Sequence, residues 1–565
     1  LLGAAGLALA SAARAAPGRR RSAALAAAAL GMATALTLWS RAADLGFRVT
    51  SDDLRARLAH VDTEHFAIYY PRGAAFTAEM PAIAREHELR YRQVASFFGV
   101  EPGGPITSFY FASPAEKARW MGAEQSYIAK PWRREIYLSH EEFPHGSLRH
   151  ELAHVFAGAF GDPIFHIAVK WWAWPPAQFN VGLIEGAAVA ADWPGNGRQT
   201  PHEAARAMLD LHLLPPTSAL LAPGFFAFSS AQSYTAAGSF CHFLIERHGV
   251  TPFRALYRSG GTAADFAAIY GQPLAALDGE WRAFLASLTV PDAEREIARE
   301  RFRRRSIFAR PCPHALAHLD EEAEAHLAAG EPDAAVRVYQ QLCADDPDEP
   351  ARRLALAQAL ERDRRPDEAE ALYRGLGADA DVSTPLRARA WLRLVDLLGA
   401  AGRRAELAAP LAAALALPVD EATLRNLVLR RAALGDDASA AGLFAYLFAR
   451  GPNGGDADSL VLLERAHALI AAAPERAEGH YLAGRLLYNR GAWADAAAEL
   501  SAAARLGTSE PTVARENDRL LVAAAWLAGD VPTTRAAAAR LAADALPQTR
   551  RQGEDWLARV AFGPK

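Results

Sequence analysis

The segment Glu331-Pro332-Asp333-Ala-Ala335-Val-Arg-Val-Tyr339 recurs as Arg365-Pro366-Asp367-Glu-Ala369-Glu-Ala-Leu-Tyr373, so that Pro, Ala and Tyr each return after 34 residues. That period restricts the fold more than any other feature of the chain. Each copy reads as a helix, a tight turn and a second helix, and one such unit cannot bury its apolar face alone, so copies must stack. Small residues at Ala335, Ala369 and Ala496 let paired helices approach closely. Weaker copies of the turn stand near Gly402 and Gly435, a clear one at Asn489-Arg-Gly491-Ala-Trp-Ala-Asp-Ala496, and another near Gly529. Between Gly435 and Gly491 the spacing slips, which marks a degenerate or inserted copy. An all-helical array is therefore expected over residues 316–565.

The repeats leave more than half of the chain unexplained. A length of 565 residues predicts about three or four folding units. A hydrophobic fraction of 51% with a net charge of only −4 excludes a disordered chain, and a mean hydropathy of −0.05 excludes a multi-pass membrane protein over most of the length. No basic excess points to nucleic acid. Three cysteines cannot staple a chain of this size; a Cys312–Cys343 bridge and three buried thiols both remain open. Arg and Ala far outnumber Lys, a pattern of GC-rich bacterial genomes.

At the N-terminus, Ser22 to Ser40 carry no charge and follow Arg19, Arg20 and Arg21, the order of a basic flank and a membrane-length helix. Residues 1–45 are therefore expected to be a transmembrane anchor, with 1–13 as the end of an earlier span. This places the rest of the chain on the periplasmic side of a bacterial inner membrane. A signal peptide or an Ala-rich helix away from lipid is the alternative. Residues 291–315, dense in Arg and broken by Pro311 and Pro313, read as a charged linker or bridging helix.

Residues 46–290 have a different texture. Short alternating runs at His65 to Tyr70 and Ile106 to Phe111 flank a helical stretch from Ala82 to Phe98, and further strands are expected at Ser126 to Ala129 and Glu135 to Leu138. Directly after comes Ser147-Leu-Arg-His150-Glu151-Leu-Ala-His154. At 3.6 residues per turn His150 and His154 stand on one helix face, able to reach a single metal, while Glu151 projects beside its open side, where a carboxylate can accept a proton from water. Two satisfied histidines on a buried helix are the alternative. Downstream, Asn180-Val-Gly-Leu-Ile-Glu185-Gly-Ala-Ala-Val189 carries one acidic residue in an apolar run, costly to bury unless a cation holds it. His140 and His145 fall outside helical spacing from His150 and read as loop residues.

The motif His150-Glu-Leu-Ala-His154, followed by Gly-Leu-Ile-Glu185-Gly-Ala-Ala, resembles the gluzincin metallopeptidases and specifically the bacterial peptidase-MA-like domains, over roughly residues 60 to 290. The resemblance implies an α+β zincin-like domain at 46–290, Zn2+ bound by His150, His154 and Glu185, and Glu151 as general base and acid. It further implies an oxyanion donor at Tyr234 in Ser233-Tyr234-Thr-Ala-Ala-Gly and a strand along a bound peptide at Ser126, Tyr127, Ile128 and Ala129. Several gluzincins carry an acidic residue where this chain has Val189; Asp192, farther along the same face, could orient a ligand histidine instead, or be a surface residue ending the helix. The C-terminal third resembles tetratricopeptide-repeat arrays, which implies a protein partner on its concave face. Two functions follow from these resemblances: a membrane-anchored zinc peptidase acting on a peptide or protein substrate recruited by the array, or an envelope interaction scaffold with a vestigial peptidase fold.

Overall fold

The computed structural model describes residues 49–124, 126–171, 177–192, 199–221, 223–303, 313–347, 349–451 and 457–563, with 26, 29–34 and 37 before them. In chain order, α1 (Ser51–Arg57), β1 (Ala59–Asp62) and β2 (Phe66–Tyr70) lead to α2 (Met80–Phe98). Next come β3 (Ile106–Phe111), α3 (Pro114–Met121), β4 (Ile128–Lys130) and β5 (Glu135–Ser139). Two compact units result: Leu1–Met80, Pro105–Ile128 and Glu135–His140 form one, and Pro81–Gly104, Ala129–Arg134 and Glu141–Lys565 form the other.

The first unit is built on a small mixed sheet. β1 pairs antiparallel with β2, while β2–β3 and β3–β5 are parallel. The sheet order is β1-β2-β3-β5-β4, ended by β4, whose Ile128 belongs to this unit. The central strands β3 and β5 are almost wholly buried, and Phe109, Phe111 and Tyr137 pack with Leu54 of α1 and with Leu58, which follows it. Glu135 is buried in that core because Arg55, Ser51 and Tyr137 all donate to its carboxylate; a carboxylate with three donors can keep its charge away from water. The predicted strand at 126–129 forms later than expected: Ser126 and Tyr127 precede β4, which runs from Ile128 through Ala129 to Lys130.

Among its described residues the second unit is mostly helical, with the end of β4 and a two-stranded ribbon of β6 (Val169–Trp171) and β7 (Ala177–Phe179). Its first half holds α4 (Leu148–Gly158), α5 (Val181–Ala191), α6 (Pro201–Asp210), α7 (Thr217–Leu220), α8 (Ser230–His248), α9 (Val250–Ser259), α10 (Ala263–Tyr270), α11 (Leu274–Ser287) and α12 (Asp292–Arg303). Small residues set the closest approach. A Cβ on Gly186 of α5 would lie 2.6 Å from Cys241 Sγ and 2.8 Å from the Ala237 carbonyl oxygen of α8, and a Cβ on Gly238 would lie 2.2 Å from Val189. Glycine at both positions therefore allows α5 and α8 to lie nearly backbone to backbone.

The second half stacks helices α13 (Pro313–Ala329), α14 (Pro332–Asp345), α15 (Pro350–Arg362), α16 (Pro366–Ala378), α17 (Thr384–Ala400), α18 (Ala408–Leu415), α19 (Glu421–Ala432) and α20 (Ala438–Leu447). It continues through α21 (Ser459–Ala472), α22 (Ala477–Asn489), α23 (Trp493–Leu506), α24 (Pro511–Leu527), α25 (Val531–Ala542) and α26 (Pro547–Phe562). Ala335, Ala369 and Ala496 are fully buried. The turn inside a pair needs a left-handed residue, supplied by Gly330, Gly402, Gly491 and Gly529 and, in the second copy, by Arg364 at φ 59°. Tyr339 and Tyr373 donate to Glu324 and Glu361 of the preceding helix, so the repeat conserves a contact as well as a spacing.

These observations correct two expectations. The α+β zincin-like architecture with an N-terminal transmembrane helix is not what the chain adopts: 70% of it is helix, stacked in the manner of tetratricopeptide repeats. The alternating runs that suggested an α+β domain are real strands, but only three to six residues long, and the five-stranded sheet is confined to residues 59–139. The inner-membrane placement is likewise corrected, since among the described residues no helix is long and apolar enough to cross a membrane. A span needs about 20 mostly apolar residues. Most of the predicted span at 22–40 lies outside the described residues, as does Cys312, while Cys241 and Cys343 carry free thiols.

Candidate metal centre

The helix α4 is held by its apolar face. Leu148, Leu152, Val155 and Phe156 are buried, and Phe156 meets Tyr91 of α2 edge to face at 4.9 Å. Ser147 occupies the position before the helix but makes no capping bond through its side chain; its backbone N–H donates to Nδ1 of His145 in the preceding loop. This packing turns His150 and His154 toward α5, whose start is fixed by Asn180: its carboxamide accepts from Leu183 N–H and donates to the Gly260 carbonyl.

The three sequence-predicted ligands converge. His150 Nε2 lies 3.6 Å and His154 Nε2 3.4 Å from the same Glu185 oxygen, and one donor atom from each residue falls within 4.8 Å of the others. Direct charge-assisted hydrogen bonds are shorter, about 2.7–2.9 Å. The edge of a zinc tetrahedron with bonds near 2.0–2.2 Å is about 3.3–3.6 Å. The donors thus fit around an ion better than they fit each other. Burial works against the charge on Glu185, but the two imidazoles facing it hold its carboxyl well below the usual range. Burial likewise opposes a charged His150, yet Glu185 and the nearby Glu151 and Asp192 carboxylates raise its pKa.

Of the other named residues, Glu151 is buried at 5% exposure and close enough to His150 and Tyr234 for its charge to act on both. Tyr234 stacks beside the His150 ring at 6.5 Å and pairs with Glu185. Burial and the Glu185 charge push its phenol above the ordinary value, so it stays protonated and able to donate. Asp192 closes α5; burial pushes it up to about 6, against the pull of His150, Arg149 and Arg90. It borders a cavity of about 350 Å3 together with Arg149 and, from the last helix, Asp555 and Trp556. The position that is acidic in several gluzincins, Val189, instead packs on Gly238. Of the predicted strand residues, Ser126, Tyr127 and Ile128 belong to the first unit, whereas Ala129 belongs, with the candidate ligands, to the second.

A buried ion-pair network was not expected from the sequence. Glu86 on α2 accepts from Arg90 and from Arg559 of α26, while Asp555 accepts from Arg90 and Arg559. Around it, Ala82 and Phe143 share an apolar core with Trp526 and Trp556 of the array. Its one sequence signal is the i, i+4 spacing of Glu86 and Arg90 on a helix that is charged throughout its middle; their partners in the last helix lie more than 460 residues away.

The tetratricopeptide repeat family matches residues 326–392, from the end of α13 into α17. No curated protein matches the chain. Among solved structures, the chain is similar to that of the functional characterization of Pseudomonas aeruginosa pilF, at 15% identity over 43% of this chain and 97% of that one, with a TM-score of 0.20. It is also similar to the TPR2AB domain of yeast Sti1 in its pHSP90 complex, at 13% identity over 44% and 99% with a TM-score of 0.18. A third likeness, to Naa15/Naa10 bound to HypK-THB, has 15% identity over 62% of this chain and 54% of that one, with a TM-score of 0.18. It is the 326–392 match, together with the helix pairs and their left-handed turns, that assigns tetratricopeptide repeats to the C-terminal region. Such repeats are protein-interaction surfaces.

Proposed function

We propose that the chain is a zinc-dependent peptidase whose ligand set is of the gluzincin kind, joined to a repeat array that binds a protein partner or substrate. The observation that carries this reading is the convergence of His150, His154 and Glu185 at tetrahedral-edge distances. Zinc, when bound there, would lower the pKa of a water and polarise a carbonyl. Glu151, one residue after a ligand, would accept the water's proton and later deliver it to the leaving amine. Tyr234, kept protonated beside Glu185, would donate to the developing oxyanion. Asp192 would favour the His150 imidazole electrostatically from the end of α5. The test is to load the purified protein with zinc and follow cleavage of an unstructured protein such as casein, then strip the metal with a chelator and restore it. Cleavage that is lost and regained supports the reading; cleavage indifferent to the metal contradicts it.

The repeat match favours a second reading, in which protein interaction is the whole function. The two separate at the metal: an interaction scaffold with a vestigial site holds no stoichiometric zinc and cleaves nothing.

A further inference from the structure

His202, near the start of α6, and His242 and Glu246, one turn apart on α8, form a second convergence of donors. His202 Nε2 lies 3.4 Å from one Glu246 oxygen and His242 Nε2 lies 3.2 Å from the other, with all three donor atoms within 4.8 Å of one another. The His202 separation matches an edge of a zinc tetrahedron, and the His242 separation is a long hydrogen bond to the other oxygen. The far side of each ring is fixed. The His242 Nδ1–H donates to the Ala190 carbonyl at 2.9 Å, and His202 Nδ1 pairs at 2.8 Å with Ser239 Oγ, which also accepts from Trp281 Nε1. Anchoring Nδ1 in this way fixes each ring and orients Nε2, as the outer partners of metal-binding histidines do.

A single cation among the three would draw both Nε2 atoms and the Glu246 carboxylate onto one centre. Both imidazoles are buried, at 5% and 6% exposure, whereas the Glu246 side chain is 54% exposed, so the site opens to solvent on the carboxylate side and leaves room for water as fourth ligand.

We propose that His202, His242 and Glu246 bind a second divalent transition-metal ion of the zinc class, which pins α6 to α8. This site is independent of the one at His150. It shares no residue with it, though the Ala190 carbonyl that anchors His242 ends the helix carrying Glu185.

The experiment counts zinc retained per chain after dialysis, by mass spectrometry, in the full-length parent, Glu246→Ala, Glu185→Ala and the double variant. Because Glu246 is mostly exposed, its replacement should leave the circular dichroism spectrum unchanged. The expected result is loss of one zinc in Glu246→Ala relative to the parent and of a further zinc in the double variant. A zinc-induced rise in Tm should persist in Glu185→Ala and vanish in the double variant. Equal zinc in the parent and Glu246→Ala overturns the proposal, whatever Glu185→Ala shows. Loss confined to Glu185→Ala would leave the first site standing and remove the second.

Discussion

Tyr234 stands beside both a ligand and the proposed base, and its protonated phenol is the group whose removal is most informative. Tyr234→Phe deletes one hydrogen-bond donor while keeping the ring on His150 and Phe225. Loss of one oxyanion donor costs about 10²–10³ in rate. We expect kcat for peptide cleavage to fall by about that factor with zinc content unchanged; a variant that cleaves as well as the parent would assign Tyr234 to packing. At this scale the candidate ligands could be read directly, because imidazole spacing on a helix and a lone carboxylate in an apolar run are local signals. His202 could not be read in the same way. It pairs with His242 and Glu246 only through the packing of two helices, and the i, i+4 spacing of those two residues was the sole hint.

Helix packing decides where the donors meet. Gly186 follows the ligand Glu185 and faces α8, where a Cβ would meet Cys241 and the Ala237 backbone. In an exposed helix Gly→Ala stabilises by about 1 kcal/mol. Here overpacking outweighs that gain, and Gly186→Ala should destabilise by about 1–3 kcal/mol and weaken zinc binding by displacing α5. Chemical denaturation fixes the sign; a stabilised variant would show that the two helices can part freely. The array's elements were legible for a related reason. Close approach needs Ala, and turns need Gly, so a 34-residue period carries the whole geometry. Where Arg364 takes the left-handed position, or where Gly435 lies outside it, the pattern blurs. The extent of the sheet was not legible, because runs of three to six alternating residues announce strands without revealing how much helix surrounds them.

Within the second unit, the last helix of the array meets α2 through the ion pairs of Glu86, Arg90, Asp555 and Arg559. Glu86 and Arg559 are each only 2% exposed. Glu86→Ala would leave Arg90 and Arg559 with Asp555 alone between them, and breaking a buried pair from one side costs about 3–5 kcal/mol. The same network sets an acid limit. Burial opposes the charge on Glu86 and Asp555, but the flanking arginines overcome it and hold both carboxyls below their ordinary values. Their contribution is therefore complete above the ordinary carboxylate range of about 4 and is lost as pH falls below it. Thermal melts between pH 5 and pH 3 should show Tm falling with pH, and falling less steeply in Glu86→Gln. Contacts spanning more than 460 residues leave no local trace in a sequence, which is why this junction emerged only from the fold. The central claim, that the His150–His154–Glu185 centre cleaves peptides, is tested most directly by comparing zinc-loaded parent and Glu151→Gln on one peptide substrate, with metal content measured in the same samples. The account predicts equal zinc and a loss of cleavage of about 10²–10⁴-fold in the variant. A variant as active as the parent, or a fully loaded parent with no cleavage, would contradict it.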